Sequence, residues 1–581
     1  AGVQRKAFAA QAYAALRTTV ENDRIAAFDA RDGLYGGEQS FLDWREQTYA
    51  PWVTGDLASM ASSKALSTNA AHYRALLLTA QLAREARRLT DARKYTAWAS
   101  TLKAAMRRRF WLSDAGLYSS MTAGHFDGAP LHRYDSLGSS LAILHGIADR
   151  AQADSMLSRY PHGPMGPPVV FPQQRDVPVY HNRAIWPFVT AYSLRAAAAS
   201  GHISAADRAY DSLVRGAALN LSNMENLEWL SGQGMLMDER RPGLSGPVIN
   251  SRRQLWSVGA YLGMVVRQVF GVQVADAGVA FAPFMTSHVR RTLLAGGDTA
   301  SLHDLKLRGK SVHVQLLLPA VESRDGRYPV RSVRLNGKPV RGPVAWARLR
   351  DGDKIAIAFG ALVPAKDAVR LVGNDPYADD PAVYGPATPA LRLGANGVEI
   401  AGKPEAGVSV APALDGARRP CYAVEALHAA TGNRSHRSAP VCTATATYPL
   451  TAPLRNWGAP GDVYTGVWFM LNSGGAHAVQ LGYVNLANAI NLGISNGVKW
   501  LEVHDMAGRT VARGVVQMPH TQPGAAPSYS TPVQWQARPG RYRIVLSDHY
   551  NMSYLAANAQ FEKGGGPRNR VDLHAVRITR P

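Results

Sequence analysis

The spacing of hydrophobic residues along the chain changes near residue 270. Before that point, apolar residues recur three and four positions apart, which is typical of amphipathic helices. This spacing predicts helices over residues 4–20, 67–90, 91–110, 135–147, 151–160, 183–200, 204–219 and 251–270. Because short turns join several of these helices, we expect them to pack as antiparallel pairs.

After residue 270 the period becomes two, which is typical of strands with one buried face. Alternating segments lie at residues 311–318, 330–335, 354–359, 421–426, 498–503 and 540–546. Asn336-Gly337 and Asp351-Gly352 are dipeptides that favour hairpin turns. The second half of the chain is therefore predicted to form antiparallel β domains.

These changes of pattern divide the chain into five predicted segments. They are a helical domain (1–270), a β-sandwich domain (271–372), a Pro/Asp/Gly-rich linker (373–389), a fibronectin-III-like β domain (390–448) and a jelly-roll-like β domain (451–581). For the last domain, carbohydrate binding and a purely structural role are both open.

Composition narrows the classes of function. The chain has 64 Lys and Arg against 43 Asp and Glu, a formal net charge of +21. Its basic residues are scattered rather than clustered, which argues against nucleic-acid binding and leaves an anionic glycan open as a partner. No apolar run reaches the roughly 18 residues that a membrane span needs.

The two cysteines, Cys421 and Cys442, lie 21 residues apart in a strand-rich stretch. They are either a disulfide, which requires an oxidising compartment, or two buried thiols. No Cys/His cluster with metal-ligand spacing is present in the sequence, so we predict neither a metal site nor a cofactor.

Four long irregular stretches separate the predicted helices, at residues 32–54, 121–133, 161–182 and 221–250. They are rich in Trp, Tyr, His, Glu and Asp, and loops of this length in a compact domain are usually functional. Candidate chemistry is therefore expected in these loops and at the helix starts that follow them.

The first loop holds the densest polar and aromatic cluster: Glu38, Asp43, Trp44, Arg45 and Glu46. A carboxyl group held against aromatic rings is desolvated, which raises its pKa towards that of a general acid. The alternative is a solvated loop in which Arg45 pairs with Glu46.

The fourth loop places Glu225 and Glu228 beside Trp229, just after a helix. Two carboxylate-bearing loops that face each other across a pocket would suit inverting glycoside hydrolysis, with one acid and one base that holds water. Two glutamates on a long loop do not by themselves require this chemistry.

Two helix starts carry further candidates. Tyr180, His181, Arg183 and Trp186 run directly into a helix, where Trp186 offers a ring face to a sugar or is simply a buried aromatic residue.

The start of a later helix carries Gln254 and Trp256, whose amide and indole N–H can bind hydroxyl groups. The alternative there is a core tryptophan followed by the capping Ser257.

The order of these clusters over residues 30–270 resembles the six-hairpin (α/α)6-barrel glycoside hydrolases, particularly trehalase and the family 63 α-glucosidases. The chain looks most like bacterial six-hairpin glycosidase-like proteins. The resemblance implies that Asp43 is the general acid, although its stretch is one residue longer than the family pattern, and that Glu225 is the general base. Inversion would then require their carboxyl groups to lie about 6.5–9.5 Å apart.

The same resemblance implies an (α/α)6 toroid followed by β-sandwich domains, in a periplasmic or secreted bacterial protein. A complete toroid needs more helices than this chain carries before the first loop, so we expect the native protein to begin upstream of Ala1. In such a compartment we expect Cys421 and Cys442 to be bonded.

Three functions follow from these observations. The first is an inverting, exo-acting glycosidase that cleaves a bacterial or plant oligosaccharide or polysaccharide. The second is a lyase for an acidic glycan, for which Tyr180, His181 and Arg183 supply the residue types. The third is a glycan-binding protein without catalysis.

Overall fold

The computed structural model describes residues 2–37, 47–247, 251–373, 375–395, 397–414, 420–459, 461–486, 496–521, 524, 528–549 and 570–581. Within these ranges the chain forms two compact units. The first unit comprises Ala1–Leu112, Ser119–Arg133 and Gly385–Pro581, and the second comprises Ser113–Tyr118 and Tyr134–Tyr384. None of the described helices is long and apolar enough to cross a membrane.

The first unit opens with four helices. They are α1 (Gly2–Ala26), α2 (Leu57–Ala61), α3 (Leu66–Glu85) and α4 (Leu89–Phe110), with a 3-10 turn at Pro51–Gly55. Helices α3 and α4 pack against each other as the predicted antiparallel pair. Arg87 has a left-handed backbone (φ 58°), which ends α3 a few residues before the predicted end at residue 90.

The second unit contains six described helices. They are α5 (Ser136–Leu144), α6 (Arg150–Arg159), α7 (Pro187–Ser200), α8 (Ile203–Asn220), α9 (Leu255–Gly263) and α10 (Ser287–Thr292). A π-helical turn, Met264–Val269, continues α9. Pro187 occupies the first turn of α7, and the left-handed Gly201 (φ 77°) ends it, so local sequence sets both limits.

The strands of the second unit follow and interrupt its helices. Their bounds are Leu117–Tyr118, Tyr134–Asp135, Pro161–His162, Val170–Phe171, Ala184–Ile185, Leu227–Glu228, Met235–Leu236, Gly246–Pro247, Val272–Val274, Gly278–Phe281, Met285–Thr286, Thr299–Leu307, Lys310–Leu317, Gly326–Tyr328, Val330–Leu335, Lys338–Val340, Val344–Ala345, Asp353–Phe359, Val363–Pro364 and Arg370–Leu371. The longest of them form a five-stranded sheet.

One strand pair in this sheet corrects the expectation of antiparallel pairing. Lys310–Leu317 and Asp353–Phe359 run parallel. A long connection allows this, because the chain returns to the same end of the sheet before the second strand starts. The Asn336-Gly337 hairpin is confirmed, with both residues left-handed (φ 48° and 78°) between antiparallel strands. Asp351-Gly352 instead precedes the parallel strand.

Helices α7 and α8 and the five-stranded sheet share one hydrophobic core. Leu194 and Tyr210 from the helices are buried in the same cluster as Val312 and Ile357 from the sheet. The start of α7, which carries candidate site residues, is therefore held in place by this core.

The strands of the first unit lie mostly after residue 385. Their bounds are Phe28–Asp29, Leu34–Tyr35, Trp111–Leu112, Ala390–Gly394, Gly397–Ala401, Val408–Leu414, Cys421–His428, Val441–Cys442, Thr445–Trp457, Val463–Leu471, Gly475–Val484, Asn496–Asp505, Thr510–Pro519, Ser528–Tyr529, Val533–Ala537, Gly540–Asp548 and Val571–Thr579. From Thr445 onwards they form two sheets whose inner faces share one core, which is a β-sandwich.

Cys421 and Cys442 lie opposite each other on paired strands and form the expected disulfide. A helical region followed by β domains is confirmed, while the closed toroid stays a prediction.

Candidate functional site

Three of the four predicted clusters meet in the second unit. A short antiparallel pair joins them, with Ala184 opposite Glu228 and Ile185 opposite Leu227. The third cluster, which contains Gln254 and Trp256, is joined to the other two by backbone hydrogen bonds. One of them runs from the Glu225 N–H to the Ser251 carbonyl (3.0 Å). Loops that are far apart in sequence therefore share one polar and aromatic cluster.

Glu225, the predicted base, lies at the centre of this cluster and is 5% exposed. Its Oε1 accepts a hydrogen bond from the Tyr180 hydroxyl at 3.0 Å. Its Oε2 is buried and has no hydrogen-bond partner among the described residues. A buried carboxylate oxygen without a donor costs free energy unless a ligand or water satisfies it, so Oε2 is an acceptor open to one.

Tyr180 is held in place through its backbone. Its carbonyl accepts from the Trp186 indole N–H at 2.8 Å and from the Asn226 amide at 3.2 Å. Both donors are buried, so the hydroxyl that reaches Glu225 is part of a rigid arrangement. The Asn226 amide, next to Glu225 in sequence, thus supports the backbone of Tyr180.

Glu228 differs from Glu225 because its oxygens are fully used within the protein. Oε2 accepts from the backbone N–H groups of Leu230 (3.1 Å) and Ser231 (2.7 Å) and from the Ser231 hydroxyl (2.6 Å). Oε1 accepts from the Arg183 guanidinium at 3.3 Å. Since Glu228 has no exposed surface, this geometry favours a structural role over the predicted substrate contact.

Arg183 has a left-handed backbone (φ 55°), which is strained for a residue with a side chain. Its N–H donates to the Gln173 side chain at 2.6 Å, and its guanidinium donates to the Pro376 carbonyl at 2.6 Å. The Tyr384 ring lies 5.9 Å from the guanidinium carbon. Burial raises the pKa of Tyr384, although the charge of Arg183 opposes the shift.

Gln173, Pro376 and Tyr384 were not among the predicted site residues. Pro376 and Tyr384 lie in the segment whose composition predicts a linker, so no local pattern marks them.

Trp229 is completely buried, and its indole N–H donates to the Gly166 carbonyl at 2.8 Å. A Cβ added at Gly163 would lie 2.6 Å from the indole nitrogen, so glycine is required for this close approach. Trp229 therefore packs the cluster from inside rather than offering a ring to solvent.

The aromatic rings form a continuous series of contacts towards the surface, edge-to-face at Tyr180–Trp186 and Trp186–Trp256. Trp186 is buried between Tyr180 (5.1 Å between ring centroids) and Trp256 (5.6 Å). Trp256 stacks on Phe188 at 4.8 Å and is 41% exposed. Among the described candidate tryptophans, Trp256 thus has the face that a sugar ring can reach.

The last two described candidates are half-buried or buried. Gln254 caps α9, and its side-chain oxygen accepts from the Leu255 N–H at 3.1 Å. His181 is buried, with its ring 4.8 Å from Tyr180 and 5.3 Å from Trp186.

The first predicted cluster, Glu38, Asp43, Trp44, Arg45 and Glu46, lies outside the described residues. The role of Asp43 and its distance from Glu225 stay predictions. Within the described ranges, no group of three His, Cys, Asp or Glu side chains is placed to hold a metal ion.

Residues 12–257 match the family model for the mannosylglycerate hydrolase MGH1-like glycoside hydrolase domain. This match confirms the predicted likeness of this segment to the six-hairpin glycosidase superfamily.

Three solved structures show more distant similarity. A sialidase is 14% identical over 56% of this chain and 29% of its own, with a TM-score of 0.41. A GH78 rhamnosidase of Bacillus sp. GL1 is 18% identical over 53% of this chain and 30% of its own (TM-score 0.33). A GH63 mannosylglycerate hydrolase from Thermus thermophilus is 18% identical over 36% and 46% respectively (TM-score 0.27).

This chain spans less than half the length of each of those three structures. A search of curated proteins found no match.

Proposed function

We propose that this chain, whose residues 12–257 match a glycoside hydrolase domain, cleaves a glycosidic bond with inversion of configuration. Asp43 protonates the leaving oxygen, and Glu225 removes a proton from the attacking water. The base in this mechanism must be an ionised carboxylate with one oxygen free to accept a hydrogen bond from the water.

The observation that carries the proposal is the asymmetry of Glu225. One oxygen is fixed by the Tyr180 hydroxyl at 3.0 Å, and the other is buried without a donor among the described residues. The first contact orients the carboxylate, and the second oxygen is placed to accept a hydrogen bond from water. Glu228, three residues later, lacks this open position.

The exposed Trp256 supports binding of a sugar ring beside Glu225. Indole faces pack against the apolar face of a sugar, and Trp256 is held by Phe188 and Trp186 from behind. In the exo-acting mechanism that we propose, this ring forms the subsite for the non-reducing sugar, together with Trp44.

The proposed substrate is an oligosaccharide or polysaccharide of bacterial or plant origin. The matched family model is named for a hydrolase of mannosylglycerate, a glycoside that bears a carboxylate. A net charge of +21 is compatible with an anionic substrate. The proposed location is the periplasm or the extracellular space, where the Cys421–Cys442 disulfide would persist.

The test is turnover of the full chain on a panel of reducing-end-labelled oligosaccharides. Glu225→Gln and Asp43→Asn are each expected to lower turnover by roughly 10²–10⁴-fold, the usual contribution of a positioned acid or base. Glu239→Gln, at an exposed position of the same unit, is the matched control and should leave turnover unchanged. Near-normal turnover in the Glu225 variant would exclude it as the base.

The product distinguishes the alternatives. Early proton spectra of the released sugar should show the anomer opposite to that of the substrate. An unsaturated product that absorbs in the ultraviolet would instead indicate a lyase. One nitrogen of the Arg183 guanidinium, Nη2, donates to both Glu228 and Pro376, so the charge is already paired with a buried carboxylate. The product, rather than this contact, decides between the two reactions.

A further inference from the structure

A groove of about 1090 Å³ opens within the first unit. One wall is the end of α4 with residues 122–130, and the other is formed by the strands Thr510–Pro519 and Val533–Ala537. Within the part of the chain that the structure describes, its lining contains none of the residues predicted for the glycosidase site. We call it the sandwich groove.

In the wall formed by the two strands, alternate side chains point into the sandwich core and into the groove. Val516 and Met518 face the core of the β-sandwich, while Arg513 lines the groove. Likewise Val533 and Trp535 are buried, and the exposed Gln536 lines the groove beside them. The two strands belong to different sheets of the sandwich, and each contributes polar side chains to the groove. Their amide and guanidinium groups can bind hydroxyl and carboxylate oxygens.

Direct contacts hold the two walls together. The Gln534 amide donates to the His125 carbonyl at 2.9 Å. Arg437, which does not line the groove, donates to both carboxylate oxygens of Asp127, at 2.8 Å and 2.6 Å, and so fixes residues 122–130 from outside it. Because the Gln534 side chain of one wall is bonded to the backbone of the other, the groove is largely preformed, as ligand sites usually are.

The carboxylates of the groove are neutralised by their neighbours. Burial favours the protonated form of Asp29, but hydrogen bonds and charge from Arg31 and Lys64 hold the pKa of that carboxyl well below its usual range. Asp32 also contacts Lys64, and Asp127 is paired with Arg437. Because these carboxylates are already paired, they do not neutralise the other basic side chains that line the groove.

Four arginines that line the groove have no ion pair among the described residues: Arg108, Arg109, Arg513 and Arg580. The Nε of Arg109 is buried and has no acceptor in the part of the chain that the structure describes. Arg108 and Arg109 lie in the last turn of α4, where the helix dipole favours cations. The helix dipole does not account for Arg513 and Arg580, because these two residues belong to the β-sandwich.

We propose that the sandwich groove binds an anionic saccharide chain. The four guanidinium groups that have no ion pair among the described residues bind its acidic substituents through charge-assisted, bidentate hydrogen bonds. Gln536 and neighbouring polar groups bind hydroxyls, and the Phe126 ring lines the floor for sugar packing. The volume lies just above the usual range for small-molecule sites, about 300–1,000 Å³, and accommodates several sugar rings.

The test is calorimetric titration of the full chain at low salt with four probes of matched length. They are an oligogalacturonate, a sulfated oligosaccharide, a neutral malto-oligosaccharide and a single-stranded oligonucleotide. Arg108→Gln and Arg513→Gln are each expected to weaken binding of the acidic saccharides by about tenfold, the usual value of a hydrogen bond to a charged group. Arg331→Gln, exposed in the second unit, is the matched control.

The proposal is supported if the wild type binds either acidic saccharide more tightly than the neutral one, and if this preference is lost in the two groove variants and kept in the control. The acidic probe that binds more tightly then identifies the substituent as carboxylate or sulfate. Equal binding in wild type and variants overturns it, as does equal binding of the neutral probe or of the oligonucleotide. Arg513→Gln alone suffices if Arg108→Gln lowers the unfolding temperature. The readout is binding and not turnover, and neither groove variant changes a residue proposed for catalysis, so failure of this test is distinguishable from failure of the proposed catalysis.

Discussion

The same substitution at two neighbouring carboxylates should have opposite consequences. Glu228→Gln is expected to destabilise the second unit, and Glu225→Gln is expected to remove activity while the fold persists. The prediction depends on the donors that each carboxylate has, which differ although both side chains are buried.

The magnitude for Glu228 follows from its contacts. Two backbone N–H groups and one hydroxyl point at Oε2, so an amide nitrogen there would meet donors, and an amide oxygen there would turn the nitrogen towards Arg183. In either rotamer the buried Arg183 charge loses its counter-ion, which costs about 3–5 kcal/mol. For a unit of this size, that corresponds to a fall of roughly 6–20 °C in unfolding temperature.

Glu225→Gln should cost much less. The Gln oxygen still accepts from the Tyr180 hydroxyl, and the new amide nitrogen replaces an oxygen that has no donor among the described residues. We expect a loss of stability within about 1 kcal/mol, the net value of one hydrogen bond.

Scanning calorimetry measures both variants, and hydrogen exchange of peptides from residues 221–236 assigns the transition to the second unit. Glu239→Gln, which is exposed, should change neither stability nor turnover. An unfolding temperature of Glu228→Gln within about 2 °C of wild type would refute the assignment of Glu228 to structure, since roughly 1 kcal/mol or less would then be involved. Equal destabilisation by both substitutions would place Glu225 in the structural framework too.

Three further predictions concern other parts of the chain. Replacing Cys421 and Cys442 by serine should destabilise the first unit by about 3 kcal/mol, because the bond closes a loop of 21 residues; an unfolding midpoint in denaturant equal to that of the wild type would contradict this. Burial raises the pKa of Asp135 to about 7, so the folded state holds a proton that the unfolded state releases, and stability should fall as pH rises from about 4 to 7. Asp135→Asn, which keeps an acceptor for the start of α5, should flatten this dependence in unfolding scans; an unchanged slope would exclude Asp135 as its source. Trp256→Ala should raise KM with little change in unfolding temperature, because the indole is 41% exposed; a normal KM on the best substrate would remove it from the sugar subsite.

Much of the fold could be predicted because local signals agree with it. The start of α7 at Pro187 and its end at Gly201 follow from residues that favour those positions. Period-two alternation found the long strands, and the spacing of the cysteines was compatible with the bond that formed. The parallel strand pair could not be found in this way, because strand direction depends on the path of a long connection.

The candidate site was predictable as a set of segments but not as a set of roles. The two glutamates look alike in sequence, yet only the fold shows that Glu228 is surrounded by donors. The Arg183 contact with Pro376 joins residues 193 positions apart, and such a pair leaves no local pattern. The left-handed backbone of Arg183 also has no signal in a residue type that rarely adopts it.

The order of the two units along the chain has a consequence for biosynthesis. The second unit is nearly continuous in sequence, whereas the first is completed only by residues after 385. Asp127 and its partner Arg437 are 310 residues apart, so at about 5–20 residues per second the ribosome needs roughly 15–60 s to supply the missing half. During that interval the nascent second unit can bury its core, whereas the N-terminal helices still lack the part of their own unit that follows residue 384. The β domains are thus no detachable appendage, and a chain truncated after residue 384 would leave one folding unit permanently unfinished.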